Sequence, residues 1–368
     1  MTKLFLLFFL HVSLICLSLT TPSECSILRY DQLDRFSSSS SSEEQVFELF
    51  QLWQKEHGRE YGNSGEKANR LQIFQRNLRY INEMNAKRKS PFQYRFGLNK
   101  FADMSPEEFK KTYTQEIKMP SNWDNIRNLK DDDDSCENLP ASVNWTAKGA
   151  VTEVRDQGNC LSHWAFSVSG AIEGINKIVT GKLISLSAQQ LVDCDPASNG
   201  CAGGFYFNAF GWVIDNGGID TEANYPYIAQ NGTCKEDAKK VVSIENLGAV
   251  LNSEEGLLCS VSKQPVSVSL DATGLQFYAG GIYDGEFCTK NSTFTTLVAL
   301  IVGYDSMDGE DYWIVKNSWG KDWGEKGYLL IRRNVTDEWP NGVCAINFAG
   351  GFPIKMVSSS SPLLSSDI

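Results

Sequence analysis

Residues 157–167 read QGNCLSHWAFS and place a cysteine, a serine and a histidine within four positions. Sulfur and imidazole are the materials of nucleophilic catalysis, in which a thiolate attacks while an imidazole holds and returns the proton. From here apolar residues recur at helical spacing: Trp164, Ala165, Phe166, Val168, Ala171, Ile172, Ile175 and Ile178, with Gly181 as a stop. The start of such a helix carries the positive end of the backbone dipole and favours an anion such as a thiolate. The residue at this start is His163, whose protonated form the same field repels. Ser162 and His163 do not form a dyad, because adjacent side chains on a helix diverge. One histidine without acidic or thiol neighbours is also a poor metal site. Neither a metal nor a cofactor is expected.

The elements that must position these groups are spread over 368 residues, enough for two or so compact units. A net charge of −11 argues against a nucleic-acid partner, which needs a basic face. Lys3 ahead of the short apolar run ending near Thr20 is the pattern of a secretory signal peptide, placed over residues 1–24. No later stretch is apolar enough to span a bilayer. Ten cysteines and four glycosylation sequons, at Asn144, Asn231, Asn291 and Asn334, agree with a secretory route.

After a serine-rich spacer the chain turns helical from about Glu43 to Asn85, where Leu71, Phe74, Leu78 and Ile81 fall on one face. Another short amphipathic piece follows in RFGLNKFADMSPEEFKKTY. The stretch 121–138, with its four consecutive aspartates, reads as a solvated linker. It separates a helical unit over 43–120 from a larger one over 139–355, with a polar tail over 356–368. In the larger unit, helices after Ser162 and around Ser187–Asp193 precede alternating strands in PVSVSLDA, LVALIVGY, DYWIVKNSW and GYLLIRRN. Helices followed by strands predict an α+β arrangement of two lobes.

At this point the chain resembles a papain-like cysteine protease along nearly its whole length. Glu66, Arg70, Phe74, Asn77, Ile81 and Asn85 match the interspersed propeptide signature of that family, and Gly97, Asn99, Phe101 and Asp103 its second propeptide motif. QGNCLSHWAFS is similar to the nucleophile segment, LVDCDPASNGCAGG to the left wall, LVALIVGY to the histidine strand and KNSWGKDWGEKGY to the asparagine segment. The resemblance implies a helical left lobe, a β-barrel right lobe and a groove between them, preceded by a helical inhibitor-type propeptide. It also implies three disulfides, Cys160–Cys201, Cys194–Cys234 and Cys288–Cys344. Spacing alone does not fix that pairing. Cys25, Cys136 and Cys259 are left over, with Cys136 and Cys259 as a candidate pair.

Carried over by position, the resemblance puts Gln157 at the oxyanion hole, His163 at the nucleophile, Leu297 at the base, Asn317 at the orienting position and Trp319 at the shielding one. Leu161-Ser162 stands where the family has Gly-Ser. A hydrocarbon at 297 neither accepts nor donates a proton. Of the three histidines, His11 lies in the leader and His57 in the propeptide-like unit, so His163 is the single imidazole of the larger unit. Loss of such a catalytic pair costs on the order of a millionfold in rate. The expectation is therefore a non-catalytic homologue acting as a binding, decoy or storage protein, and the alternative is an active cysteine-type endopeptidase using an unrecognised variant of the mechanism.

Gly203 and Gly204 match the glycines whose backbone pairs with extended substrate, so the groove is expected to hold a peptide or protein ligand. The alternative reading is that these glycines answer only to a positive φ or to close packing. Within the family the chain is similar to plant vacuolar, oil-body-associated thiol-protease-like proteins, which implies a vacuolar or extracellular destination. A chain without its own activity requires a processing protease in trans, with Asn122, Asn125 and Asn128 as suitable sites. A propeptide that stays in place is expected to run along the groove.

Overall fold

The computed structural model of the chain describes residues 42–117, 136–290 and 295–356. The expected leader, most of the acidic linker, the Asn291 sequon and nearly all of the polar tail lie outside these residues. The chain divides into two compact units, 1–82 and 83–368.

The first unit is helical for local reasons. Helix α1 (Glu43–Glu56) starts at a capping box in which Ser42 and Gln45 satisfy each other's backbone donors. Helix α2 (Ser64–Asn85) starts where the Asn63 side chain accepts from the Glu66 amide, and it runs across the unit boundary. Between the two helices Phe50 gathers Trp53, Tyr61 and Phe74 at ring separations of 6.0, 6.1 and 5.2 Å.

In the second unit, the Asn85 side chain clamps strand β1 (Arg95–Phe96), donating to the Phe96 carbonyl and accepting from its amide, both at 2.9 Å. Helix α3 (Pro106–Tyr113) repeats the capping-box device with Ser105 and Glu108. After β2 (Val143–Asn144) comes the central helix α4 (His163–Thr180), ended by Gly181 in the left-handed region at φ 76°. Every residue of α4 from His163 to Asn176 is buried. A stretch buried on every face belongs inside a protein, and its polar Ser167, Ser169, Glu173 and Asn176 are each hydrogen-bonded there. Its small Gly170 lets it lie directly on the sheet, for a Cβ there would approach Leu300 to 2.8 Å. Helices α5 (Ala188–Cys194) and α6 (Tyr206–Asn216) complete the helical lobe.

The β lobe follows as β3 (Asn246–Leu251), helix α7 (Glu254–Lys263), β4 (Val266–Leu270), β5 (Tyr278–Gly280), β6 (Ile282–Tyr283), β7 (Leu297–Met307), β8 (Glu310–Lys316), β9 (Tyr328–Arg332) and β10 (Ala349–Ile354). Its eight-stranded sheet runs β3-β10-β4-β7-β8-β9-β6 with β2 beside β7, antiparallel except for β6 on β9, while β1 and β5 pair separately. The four strands expected from alternation are β4, β7, β8 and β9. Strand β7 is buried from Leu297 to Tyr304, because α4 covers one face and neighbouring strands flank it. Disulfides join Cys160–Cys201, Cys194–Cys234 and Cys288–Cys344 as the resemblance implied, and also Cys136–Cys259, with Cα separations of 4.5, 4.8, 5.3 and 5.6 Å.

Candidate active site

The site forms where the start of α4 meets the start of β7 and the turn after β8. Gln157 is fixed on four sides. Its amide donates to the Ser318 carbonyl at 2.8 Å, its Oε1 accepts from Ser318 Oγ at 2.8 Å, and its carbonyl accepts from Tyr227 Oη at 2.8 Å. Its Nε2 donates to the Cys160 carbonyl at 3.0 Å, at the approach to α4. Ser162 Oγ lies 2.5 Å from Tyr227 Oη, so the serine is turned toward the 157–160 loop rather than toward His163. That agrees with the divergence expected of adjacent residues.

His163 points inward. It is 1 % exposed, and its Nδ1 accepts from the Val298 amide of β7 at 3.2 Å. Accepting at Nδ1 fixes the tautomer with the proton on Nε2. That nitrogen is buried and has no hydrogen-bond partner. Burial pushes the imidazole down to about 3, so the ring is neutral across the physiological range. Leu297 is buried as well, pairing with Leu270 across the sheet. The structure thus brings positions 163 and 297–298 together, but the imidazole reaches the strand from the helix side.

Asn317 and Trp319 follow β8 and are both buried. The Asn317 Oδ1 accepts from the Ser318 amide at 2.8 Å, while its Nδ2 is buried without a partner. Trp319 meets the rings of Phe101, Phe109 and Tyr113 edge-on at 5.8, 5.2 and 6.3 Å, so residues 101–113 roof this side of the site.

Beneath His163 a cavity of about 20 Å³ is lined by Arg155, Ser167, Lys316 and Asn317 among others. Arg155 bonds Glu222 at 2.6 Å and Ser169 at 3.2 Å, and lies 3.6 Å from Glu173. Lys316 donates to Thr152 at 3.1 Å, and Thr152 donates to the buried Glu173 at 2.7 Å. Burial lowers the Lys316 ammonium to about 8.

The groove wall is built from main chain. The amides of Gln115 and Ile117 donate to the carbonyls of Thr296 and Thr295, both at 3.0 Å, and Gln115 Nε2 donates to the Gly204 carbonyl at 3.1 Å. Residues 113–117 therefore lie between the 203–204 and 295–296 segments. Gly203 sits at φ 112°, and a Cβ there would run into the Gln115 amide. At Gly204 a Cβ would meet Trp164 at 2.5 Å. The positive φ is at Gly203 alone, while close packing leaves no room for a side chain at either glycine. Tyr227 and Gln115 went unnoticed in the sequence. Capping serines have recognisable spacing, whereas a tyrosine that props a distant loop has none.

The model of the papain family cysteine protease matches residues 139–351, and that of the cathepsin propeptide inhibitor domain (I29) matches residues 50–109. The chain belongs to the papain family of cysteine proteases. It is 46 % identical to "P34 probable thiol protease" of Glycine max, with 89 % of each chain covered. It is 42 % identical to "Cysteine proteinase RD21A" of Arabidopsis thaliana, over 90 % of this chain and 72 % of that one. The solved structure of a recombinant stem bromelain precursor superposes with a TM-score of 0.76 at 36 % identity, covering 84 % of this chain and 99 % of that one.

These relatives correct the expectation of a non-enzyme. Chains that match about nine-tenths of this one are named as thiol or cysteine proteases, and the matching family model is a protease model. The expectation rested on the residues at positions 163 and 297, with the sulfur of Cys160, three residues before the helix, taken as held in its disulfide. No helix among the described residues is long and apolar enough to cross a membrane.

Proposed function

We propose that the chain is a cysteine-type endopeptidase, held as a zymogen, that takes extended peptides into its groove and cleaves them by a variant of the papain mechanism. The observation that carries this reading is the 113–117 segment. A stretch of polypeptide is bonded through its backbone amides to the 295–296 side and through the Gln115 side chain to the Gly204 carbonyl on the other, and main-chain pairing of this kind is how an extended substrate is received. Family membership and the named relatives supply the reaction class.

The variant needs a sulfur. Among the described residues every cysteine is in a disulfide, so the thiol comes from opening one of them. Cys160–Cys201 is the nearest in sequence to the start of α4, and the Cys160 carbonyl already accepts from Gln157. A dithiol reductant passes two electrons and two protons to this bond, giving two thiols and its own disulfide. The Cys160 thiol gives its proton to water and attacks the peptide carbonyl, with the Gln157 amide in reach of that neighbourhood; the C–N bond breaks as the amine takes a proton from water, and a second water hydrolyses the thioester to free acid and thiol.

The same reading takes residues 1–24 as a leader, 43–120 as the propeptide, 121–138 as the linker cut by another protease, 139–355 as the enzyme and 356–368 as a tail. It sends the chain along the secretory route to a vacuole or the exterior, with glycans on the exposed Asn144, Asn231 and Asn334.

The test offers a peptide library and an electrophilic thiol-directed probe to the chain freed of residues before 136, with and without dithiothreitol. Peptide binding is read separately from turnover. Expected are hydrolysis and labelling that begin on reduction and vanish in Cys160→Ser. A reduced, folded chain that binds peptide without cleaving it or taking the label overturns the reading.

A further inference from the structure

His163 is a buried titratable group that the proposed chemistry leaves unused. Its Nδ1 bond to Val298 is the outermost of a row of bonds that run from α4 to the sheet. One turn further along, Ser167 Oγ contacts Ser267 Oγ at 2.8 Å and the Ala299 carbonyl at 2.7 Å. His163 is therefore the last tie before the groove, at the point where the two lobes part.

We propose that His163 is a proton-operated latch on the groove floor: neutral, its imidazole ties α4 to β7, and protonated, it lets go of Val298 and turns toward the groove. Two geometric facts drive this. A protonated ring carries a hydrogen on Nδ1, which then faces the Val298 N–H donor against donor. The charged ring also has nothing buried to pair with. Around the cavity it meets Arg155 from the segment before α4 and Lys316 from β8, both cationic. Strand β7 offers Leu297, Val298, Ala299 and Leu300, and the turn after β8 offers Asn317 and Ser318, none of them charged. The buried acid Glu173 lies ten residues along α4, roughly 15 Å away by helical rise, and is taken up by Thr152, Leu186 and Arg155. Glu116, on the segment that crosses the groove, is exposed to solvent. Burial that holds the ring well below its ordinary value agrees with this setting.

The latch is independent of whether the groove hydrolyses what it holds. Its consequence is a floor that is closed at neutral pH and opens on acidification, with the imidazole delivered to the groove.

The experiment follows the full chain labelled with ¹⁵N in histidine and main-chain amides, assigning the His163 ring by its loss in His163→Gln. At pH 7 the ring is expected as the Nε2–H tautomer. On acidification, Val298 amide exchange relative to that of Val268 on β4 should rise about tenfold per pH unit below the ordinary imidazole range, because opening takes up one proton. In His163→Gln that ratio should not respond to pH. A ratio that stays flat in the wild type overturns the latch, as does one that responds equally in the variant. Opening of Val298 and Val268 together overturns it too, since that is global unfolding. If His163→Gln does not fold, the wild-type ratio and the ring titration decide alone.

Discussion

The wall and the floor of the groove are made of different material. On the wall, Gly204, Thr295 and Thr296 bind extended chain through carbonyl oxygens, which any residue at those positions supplies. On the floor everything depends on side chains, and there one imidazole leans across to a backbone amide beside a leucine. Recognition built on main chain tolerates substitution, whereas chemistry built on two side chains does not. The wall can therefore retain its shape while the floor is rebuilt.

The largest effect expected from this contrast is on rate. The double substitution His163→Cys with Leu297→His puts a thiol at the helix start and an imidazole on β7 and leaves the wall untouched. Turnover of peptides by the propeptide-free chain should rise at least 10²-fold over wild type, the usual contribution of a positioned proton-transfer group. Single-turnover kinetics of both chains would measure it. No gain, with peptide affinity retained, would mean that Leu161 or the approach to α4 blocks the reacting carbonyl.

Next in size is the pH dependence of folding. His163 has its folded value lowered to about 3 from 6.5, so its contribution is fully present above the unfolded value. As pH falls below 6.5 the unfolded chain takes up the proton and the folded chain does not. Stability is lost progressively until pH approaches 3. At pH 5 the loss relative to pH 8 is about 2 kcal/mol. Denaturant midpoints of wild type and His163→Leu at the two pH values should differ by that slope. Parallel behaviour of the two chains would place the acid sensitivity elsewhere.

The sequence showed the elements that carry the site more readily than the directions of its side chains. Strands β4, β7, β8 and β9 alternate or run apolar and are legible, and so is α4 with its Gly181 stop. Strand β10 was not, for AGGFPI reads as a turn. Its glycines are there because Leu257 and Tyr206 come within 3.1 and 2.8 Å of where a Cβ would stand. Helix α6, in YFNAFGWVIDN, is an apolar run that periodicity alone does not assign to helix or strand. The identity of His163 was plain, but its direction was not. Nothing local tells an imidazole at a helix start to turn inward, and that choice is made by the Val298 amide 135 residues away.

The smallest effect is the sharpest test of the wall. Gln115→Ala removes the side-chain bond from Nε2 to the Gly204 carbonyl and leaves the amide bonds of Gln115 and Ile117 in place. A neutral hydrogen bond contributes about 0.5–1.5 kcal/mol net, so local opening of the segment should increase by about 2- to 13-fold. Hydrogen exchange at Gln115 and Ile117, or nicking by an added protease, reports that ratio. Gln115→Pro supplies the contrast, because it deletes the amide that donates to Thr296 and should release the segment far more completely. If the alanine frees the segment as fully as the proline does, the side chain rather than the backbone holds it. The wall would then be as dependent on particular side chains as the floor.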